Sequence, residues 1–242
     1  YHGTPEAIFN RLINQYQIEE VICNGDYEPY ATKRDKKIKT FLSKKGIDFK
    51  AYKDQVIFEK SEIVKDDGNP YKVYTPYSRK WLSYFDTQYL EEYPSESLLS
   101  NCYSEQELPK IKLNQLGFTS SNINQPKHFF DNQIIDDYES TRNFPYLNKT
   151  SRLGTSLRFG TISIRKVVKK AASRPNKTFL KELIWREFFM QILWHYPHTR
   201  NESFKPQYDR IEWRNNEKDF ENWCLGKTGF PLVDAGMREL NK

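Results

Sequence analysis

The spacing of apolar positions changes repeatedly along the first 85 residues. AIFNRLINQYQ (Ala7–Gln17) repeats at the three-to-four spacing of a helix, and EEVICN (Glu19–Asn24) is a short apolar run of strand type. RDKKIKTFLSKKG (Arg34–Gly46) is an amphipathic helix closed by Gly46. DFKAYK (Asp48–Lys53) and QVIFEK (Gln55–Lys60) then read as two more strands. Helix, strand, helix, strand at this pitch predicts part of a parallel α/β sheet, incomplete without strands before Tyr1. Residues 87–126 lose the pattern and carry Pro94, Pro109 and Pro126, as a link between two bodies does. From about residue 127 the spacing is helical throughout: HFFDNQIIDDYESTRNF, SIRKVVKKAASR, TFLKELIWREFFMQILWHY, and the shorter EKDFENWCLG and PLVDAGMRELN. In the long helix Thr178 is the expected N-cap, Pro197 the stop, and Phe188, Phe189, Ile192 and Leu193 the core anchor.

Composition narrows the class. A chain of 242 residues, 37% hydrophobic and 29% charged, can bury a core as one large or two smaller globular domains. No apolar run approaches the roughly 20 residues that span a bilayer. The start lacks Met and has no basic region followed by an apolar one, so no signal peptide is visible. Cys23, Cys102 and Cys224 form no CxxC and cannot all pair, which favours a reduced, cytoplasmic protein. Net charge divides unevenly. Residues 1–105 hold 15 Lys+Arg against 17 Asp+Glu, and residues 106–242 hold 23 against 15. A basic second half is what a phosphate-binding face would produce.

Three stretches offer chemistry. His195 and His198 in HYPH lack a third ligand in view, so no metal is assigned and a helix end is the better reading. Thr150, Ser151, Arg152 and Gly154 in TSRLG supply hydroxyls, a cation and an approachable backbone, which suits either a phosphate or a simple N-cap beside a solvated arginine. Glu182, Trp185 and Arg186 lie three and four residues apart on one helical face. They form either a Glu182–Arg186 surface pair beside a core tryptophan, or the wall of a pocket with a stacking ring, an acceptor and a cation.

KELIWREFF and FENWCLGKTGFPLVDAGMRELN together resemble the flavin-binding domain of DNA photolyases and cryptochromes. Tyr138, Arg142 and TSRLG match that domain in order and spacing, and NGDYEPYATKRD and GNPYKVYTPYSRKW resemble the end of the family's α/β antenna domain. The resemblance implies three parts: residues 1–86 as the C-terminal part of the α/β antenna domain, residues 87–126 as a linker, and residues 127–242 as the N-terminal half of an all-α FAD-binding domain. It implies a reduced, anionic FAD that donates an electron, under blue light, to a cyclobutane pyrimidine dimer turned out of the DNA duplex. Tyr138, Thr150, Ser151, Arg152, Leu153, Gly154, Phe179 and Arg186 would hold the cofactor. Glu182 and Trp185 would act on the dimer, and Arg142 would assist at the DNA mouth.

Keeping both Glu182 and Trp185 resembles the cyclobutane-specific members, where many (6-4) enzymes resemble QLLWRE; DASH-type cryptochromes keep both too. A folate antenna is not expected, because Tyr30 and Ala31 stand where folate-binding members carry an Asn-Glu pair, and the antenna chromophore stays open. The family pattern extends beyond both ends of the chain. A fragment is therefore expected, binding FAD weakly or not at all when isolated. The implied protein is a monomeric enzyme working at DNA in the cytoplasm, with no membrane partner. The competing readings are a cryptochrome-like photoreceptor without repair, and a basic helical DNA-binding protein without flavin.

Overall fold

Two parallel strands, β1 (Glu20–Asn24) and β2 (Asp48–Tyr52), pair in the register Glu20↔Asp48 to Asn24↔Tyr52. This computed structural model describes residues 1–86, 90, 93–103, 110–123 and 127–242. Parallel strands need a crossover, and α2 (Pro29–Ser43) supplies it, preceded by α1 (Pro5–Gln15). Pro29 opens α2, where its missing N–H costs nothing. Gly46 closes the connection at φ +73°, a left-handed conformation that glycine adopts without strain. Ile38, Leu42 and Ile47 form a small core with Phe9, Ile13, Val21 and Phe49. The α/β expectation for this part of the chain holds.

The main core lies elsewhere. It gathers Ile57, Phe58, Tyr77 and Trp81 with Ile135, Leu153, Val167 and Val168, and with Phe179, Leu180, Ile184 and Phe188. Tyr77 and Trp81 come from α3 (Tyr74–Tyr84), Ile135 from α4 (Asn132–Thr141), Val167 and Val168 from α6 (Ile164–Ala172), and the last four from α7 (Thr178–His195). Leu153 immediately precedes α5 (Gly154–Arg158), and Ile57 and Phe58 come from the irregular segment after β2. Asp131 caps α4 by accepting from the Ile134 N–H at 2.8 Å. Short 3-10 helices occupy Ser95–Asn101 and Leu113–Leu116 within the expected link, whose Pro109 and Pro126 lie outside the described residues. Tyr1–Pro197 forms one compact unit and His198–Lys242, with α8 (Glu217–Cys224) and α9 (Pro231–Leu240), forms another. None of the described helices is long and apolar enough to cross a membrane.

Three expectations are corrected. QVIFEK is not a strand. Val56, Ile57 and Phe58 are buried, but side chains of α7, instead of a neighbouring strand, meet the N–H groups of Ile57 and Phe58 and the Phe58 carbonyl. Arg186 Nη1 donates to the Gln55 carbonyl at 2.7 Å, and Glu187 accepts from the N–H groups of Ile57 (2.7 Å) and Phe58 (3.0 Å). Gln191 Nε2 donates to the Phe58 carbonyl at 3.1 Å, and His195 Nε2 lies 3.2 Å from the Lys60 carbonyl. Thr178 is the first helical residue of α7 and not its cap; the Asn176 side chain accepts from its N–H at 2.8 Å. Phe189 is 61% exposed, because it falls off the stripe of Leu180, Leu183, Ile184, Glu187, Phe188 and Gln191 that α7 buries.

Candidate functional site

α4 and α7 bring four of the predicted residues together. Arg142, at the C-cap of α4, donates through Nη1 to Glu182 Oε1 across 40 residues of sequence. Its guanidinium lies 5.3 Å over the Tyr138 ring, a cation–π contact, and Tyr138 meets Phe179 edge-on at 5.1 Å. Both side chains of the ion pair keep 34% of their surface in solvent, so the pair is open to a ligand. The hydrogen bond to Glu182 raises the Arg142 pKa above the ordinary guanidinium value. Burial, and then the Glu182 charge, raise that of the Tyr138 hydroxyl. The pairing of Glu182 with Arg186 does not form.

Trp185 follows Glu182 by less than a turn. Its indole stacks face to face on Tyr74 of α3, with centroids 3.6 Å apart and planes 7° from parallel. The Tyr74 hydroxyl donates to the Lys181 carbonyl at 2.9 Å, which fixes the ring against α7. Phe188 meets the indole edge-on at 5.7 Å, and exposed Phe189 lies beside it at 5.5 Å. Trp185 therefore belongs to an aromatic wall next to a paired carboxylate. That combination can stack a flat ring and accept hydrogen bonds from its edge.

TSRLG precedes α5. The Ser151 carbonyl accepts from the Phe129 N–H at 2.8 Å, tying this stretch to the segment before α4. Arg152 adopts a left-handed conformation, φ +53°, and its Nη2 donates to Asn148 Oδ1 at 2.5 Å. Leu153 is buried in the main core, and nothing lies within 4 Å of where a Cβ on Gly154 would sit. Thr150 and Arg152 are exposed and Ser151 is half-buried. Two hydroxyls, a guanidinium and an unobstructed backbone at the start of a helix form a donor set that fits a diphosphate.

Arg186 is not brought to Glu182 and Trp185. It turns to the Gln55 carbonyl and lines a cavity of about 410 Å³ with Asn24, Asp54, Arg158 and Ser163, where burial lowers its pKa. A wider opening of about 820 Å³, lined by Asn24, Tyr52, Asp54 and Arg165, sits at the carboxyl ends of β1 and β2.

Residues 1–96 match the family model of DNA photolyase, and residues 179–242 match that of the FAD-binding domain of DNA photolyase. A deoxyribodipyrimidine photo-lyase of Halobacterium salinarum is 31% identical over 261 residues, covering 99% of this chain and 54% of that protein. The crystal structure of a bacterial class III photolyase from Agrobacterium tumefaciens superposes with a TM-score of 0.83 at 30% identity, over 98% of this chain and 54% of that one. The chain belongs to the DNA photolyase/cryptochrome family. An archaeal photolyase from Sulfolobus tokodaii, whose structure holds two FAD molecules, superposes with a TM-score of 0.66 at 28% identity, over 100% of this chain and 53% of that one. This photolyase-family chain spans about half the length of the curated relatives it matches.

Two of its residues escaped sequence reasoning. Tyr74 carries no signal, since nothing in residues 68–81 points to a partner at 185. Glu187 did carry one: it sits four residues from Leu183 and three from Ile184, on the stripe α7 buries, where a carboxylate must find donors. It finds Ile57, Phe58 and the Trp81 indole N–H, the last at 2.7 Å.

Proposed function

We propose that the protein carrying this chain is a light-driven lyase that repairs cyclobutane pyrimidine dimers in DNA. The observation that carries this is the Arg142–Glu182 pair standing beside the Trp185–Tyr74 stack at the start of α7. Residues 1–86 serve as part of the antenna domain, residues 87–126 as the link, and residues 127–242 as the first half of the flavin domain.

The donor set of Thr150, Ser151, Arg152 and Gly154 holds the diphosphate of FAD, with Tyr138 and Phe179 as an aromatic flank. Reduced FAD, when bound, supplies one electron on excitation by blue light. Glu182 accepts hydrogen bonds from the exposed edges of a dimer turned out of the duplex, and Arg142 holds that carboxylate in place. Trp185, backed by Tyr74, gives the dimer an apolar wall and keeps water from it. The chemistry FAD would supply is a borrowed electron: the two cyclobutane carbon–carbon bonds of the dimer would break and the electron would be handed back, with no net oxidation or reduction. The cavity lined by Arg158 and Arg186 supports a second, light-gathering ligand, in keeping with the two flavins of the Sulfolobus tokodaii relative. The protein acts as a monomer at cytoplasmic DNA.

Stacking on an aromatic side chain is worth about 1–3 kcal/mol per base. Trp185→Ala should therefore lower the preference for dimer-containing over intact duplex about tenfold or more, while leaving the salt dependence unchanged. Equal loss of affinity for both DNAs would show that Trp185 only supports the fold.

A further inference from the structure

Seven of the 15 cations in residues 1–105 fall within the 13 residues from Lys33 to Lys45, with only Asp35 of the 17 carboxylates among them. The slightly acidic total of this half of the chain therefore conceals one strongly basic segment. In the structure it is α2 and the turn that follows. α2 buries Ala31, Ile38 and Leu42 and turns Lys33, Lys36, Lys37 and Lys39 to solvent, with Lys44 exposed at its C-cap. Lys37 is paired with Glu6, and Arg34 with Asp35 at 2.7 Å. Lys33, Lys36, Lys39, Lys44 and Lys45 have no anionic partner among the described residues.

Lys33, Lys36, Lys37, Thr40 and Lys44 follow one another at the spacing of a single helix face. With Phe41 and Glu6 they line a shallow groove of about 390 Å³. From Lys33 to Lys44 the stripe runs about 16 Å at the rise of an α-helix. One strand of duplex DNA presents a phosphate about every 3.4 Å of axis, so the stripe faces about five of them. A membrane surface fits less well. An interfacial helix inserts its apolar face, and the apolar face of α2 is already buried in the small core.

We propose that the lysine stripe of α2 is a second DNA-binding surface, one that grips the phosphate backbone of intact duplex without regard to lesion or sequence. It shares no residue with the Arg142–Glu182 pair or the Trp185 wall. A sequence-independent grip of this kind lets a protein slide along undamaged DNA between encounters.

The test uses the 242-residue chain in the dark, without flavin and with undamaged duplex, so its outcome is independent of the repair reading. Binding is measured from about 50 to 200 mM salt for the unaltered chain and for the triple variant Lys33→Gln, Lys36→Gln, Lys44→Gln. Each lost phosphate contact should reduce the slope of log K against log salt by about 0.9, close to 3 for the triple variant. Over that fourfold salt range the unaltered chain should then lose about forty-fold more affinity than the variant. Each single substitution should reduce the slope by about 1, which keeps the test valid should the triple variant fold poorly. Replacing the same lysines with arginine should leave the slope unchanged. An unchanged slope in the glutamine variants would overturn the proposal. So would a loss of binding to phosphatidylglycerol vesicles without any loss on DNA.

Discussion

Glu187 is a carboxylate where the spacing of α7 asks for an apolar side chain, and it has no exposed surface to compensate. Burial pushes its carboxyl up to about 7 despite the donors supplied by Ile57, Trp81 and Phe58. The sign of the pH effect follows directly. Between the ordinary value of 4.5 and about 7 the folded chain holds a proton that the unfolded chain has released. Stability from this group is therefore full below 4.5, falls as pH rises through that window, and levels off above it, a change of about 3 kcal/mol. Urea midpoints at pH 5 and pH 8 should differ accordingly, and Glu187→Gln should flatten that difference. A variant with the same pH response as the unaltered chain would assign the titration elsewhere. At this scale the sequence was half legible. TSRLG and the Glu182–Trp185 face stood out by residue type, whereas the partners Arg142 and Tyr74 lie 40 and 111 residues away and are joined to them only by the fold.

Periodicity located most elements, because each buries one face: β1, β2 and helices α1, α2, α4, α6, α7, α8 and α9 all fall where the apolar spacing put them. QVIFEK misled because a buried apolar run reads as a strand whatever saturates its backbone. Here Arg186, Glu187, Gln191 and His195 on successive turns of α7 take the place of a neighbouring strand. Phe189 misled because the apolar positions of α7 run round the helix and are not confined to one face, so residue type outweighed position. The turn before α9 shows local rules at their most legible. Asp234 accepts from the Thr228 N–H at 2.7 Å and the Gly229 N–H at 3.0 Å, and the Thr228 contacts hold its carboxyl below the usual range. Gly226 sits beneath at φ +64°, and a Cβ there would come within 2.9 Å of the Asp234 carbonyl oxygen. Gly226→Ala should cost roughly 2 kcal/mol or more in that turn. Hydrogen exchange would show it as lost protection at the Thr228 and Gly229 amides, and unchanged protection would contradict the packing described.

Across the whole molecule, the two halves of the chain differ in charge but share the main core. The first carries the parallel strands, the small core, one dense basic stripe and Tyr74; the second carries the net excess of cations and the other residues of the proposed lesion site. Function at this scale was legible because several motifs recur in family order, and what stayed hidden was how distant side chains meet at the site. The most direct test gives the flavin-reduced protein that carries this chain dimer-containing oligothymidylate under blue light and measures the return of intact thymine. The proposed repair activity predicts recovery that requires light and reduced FAD and falls sharply in Glu182→Ala. Dimer DNA that is bound in the light and yields no thymine would contradict it and leave a flavin photoreceptor in its place.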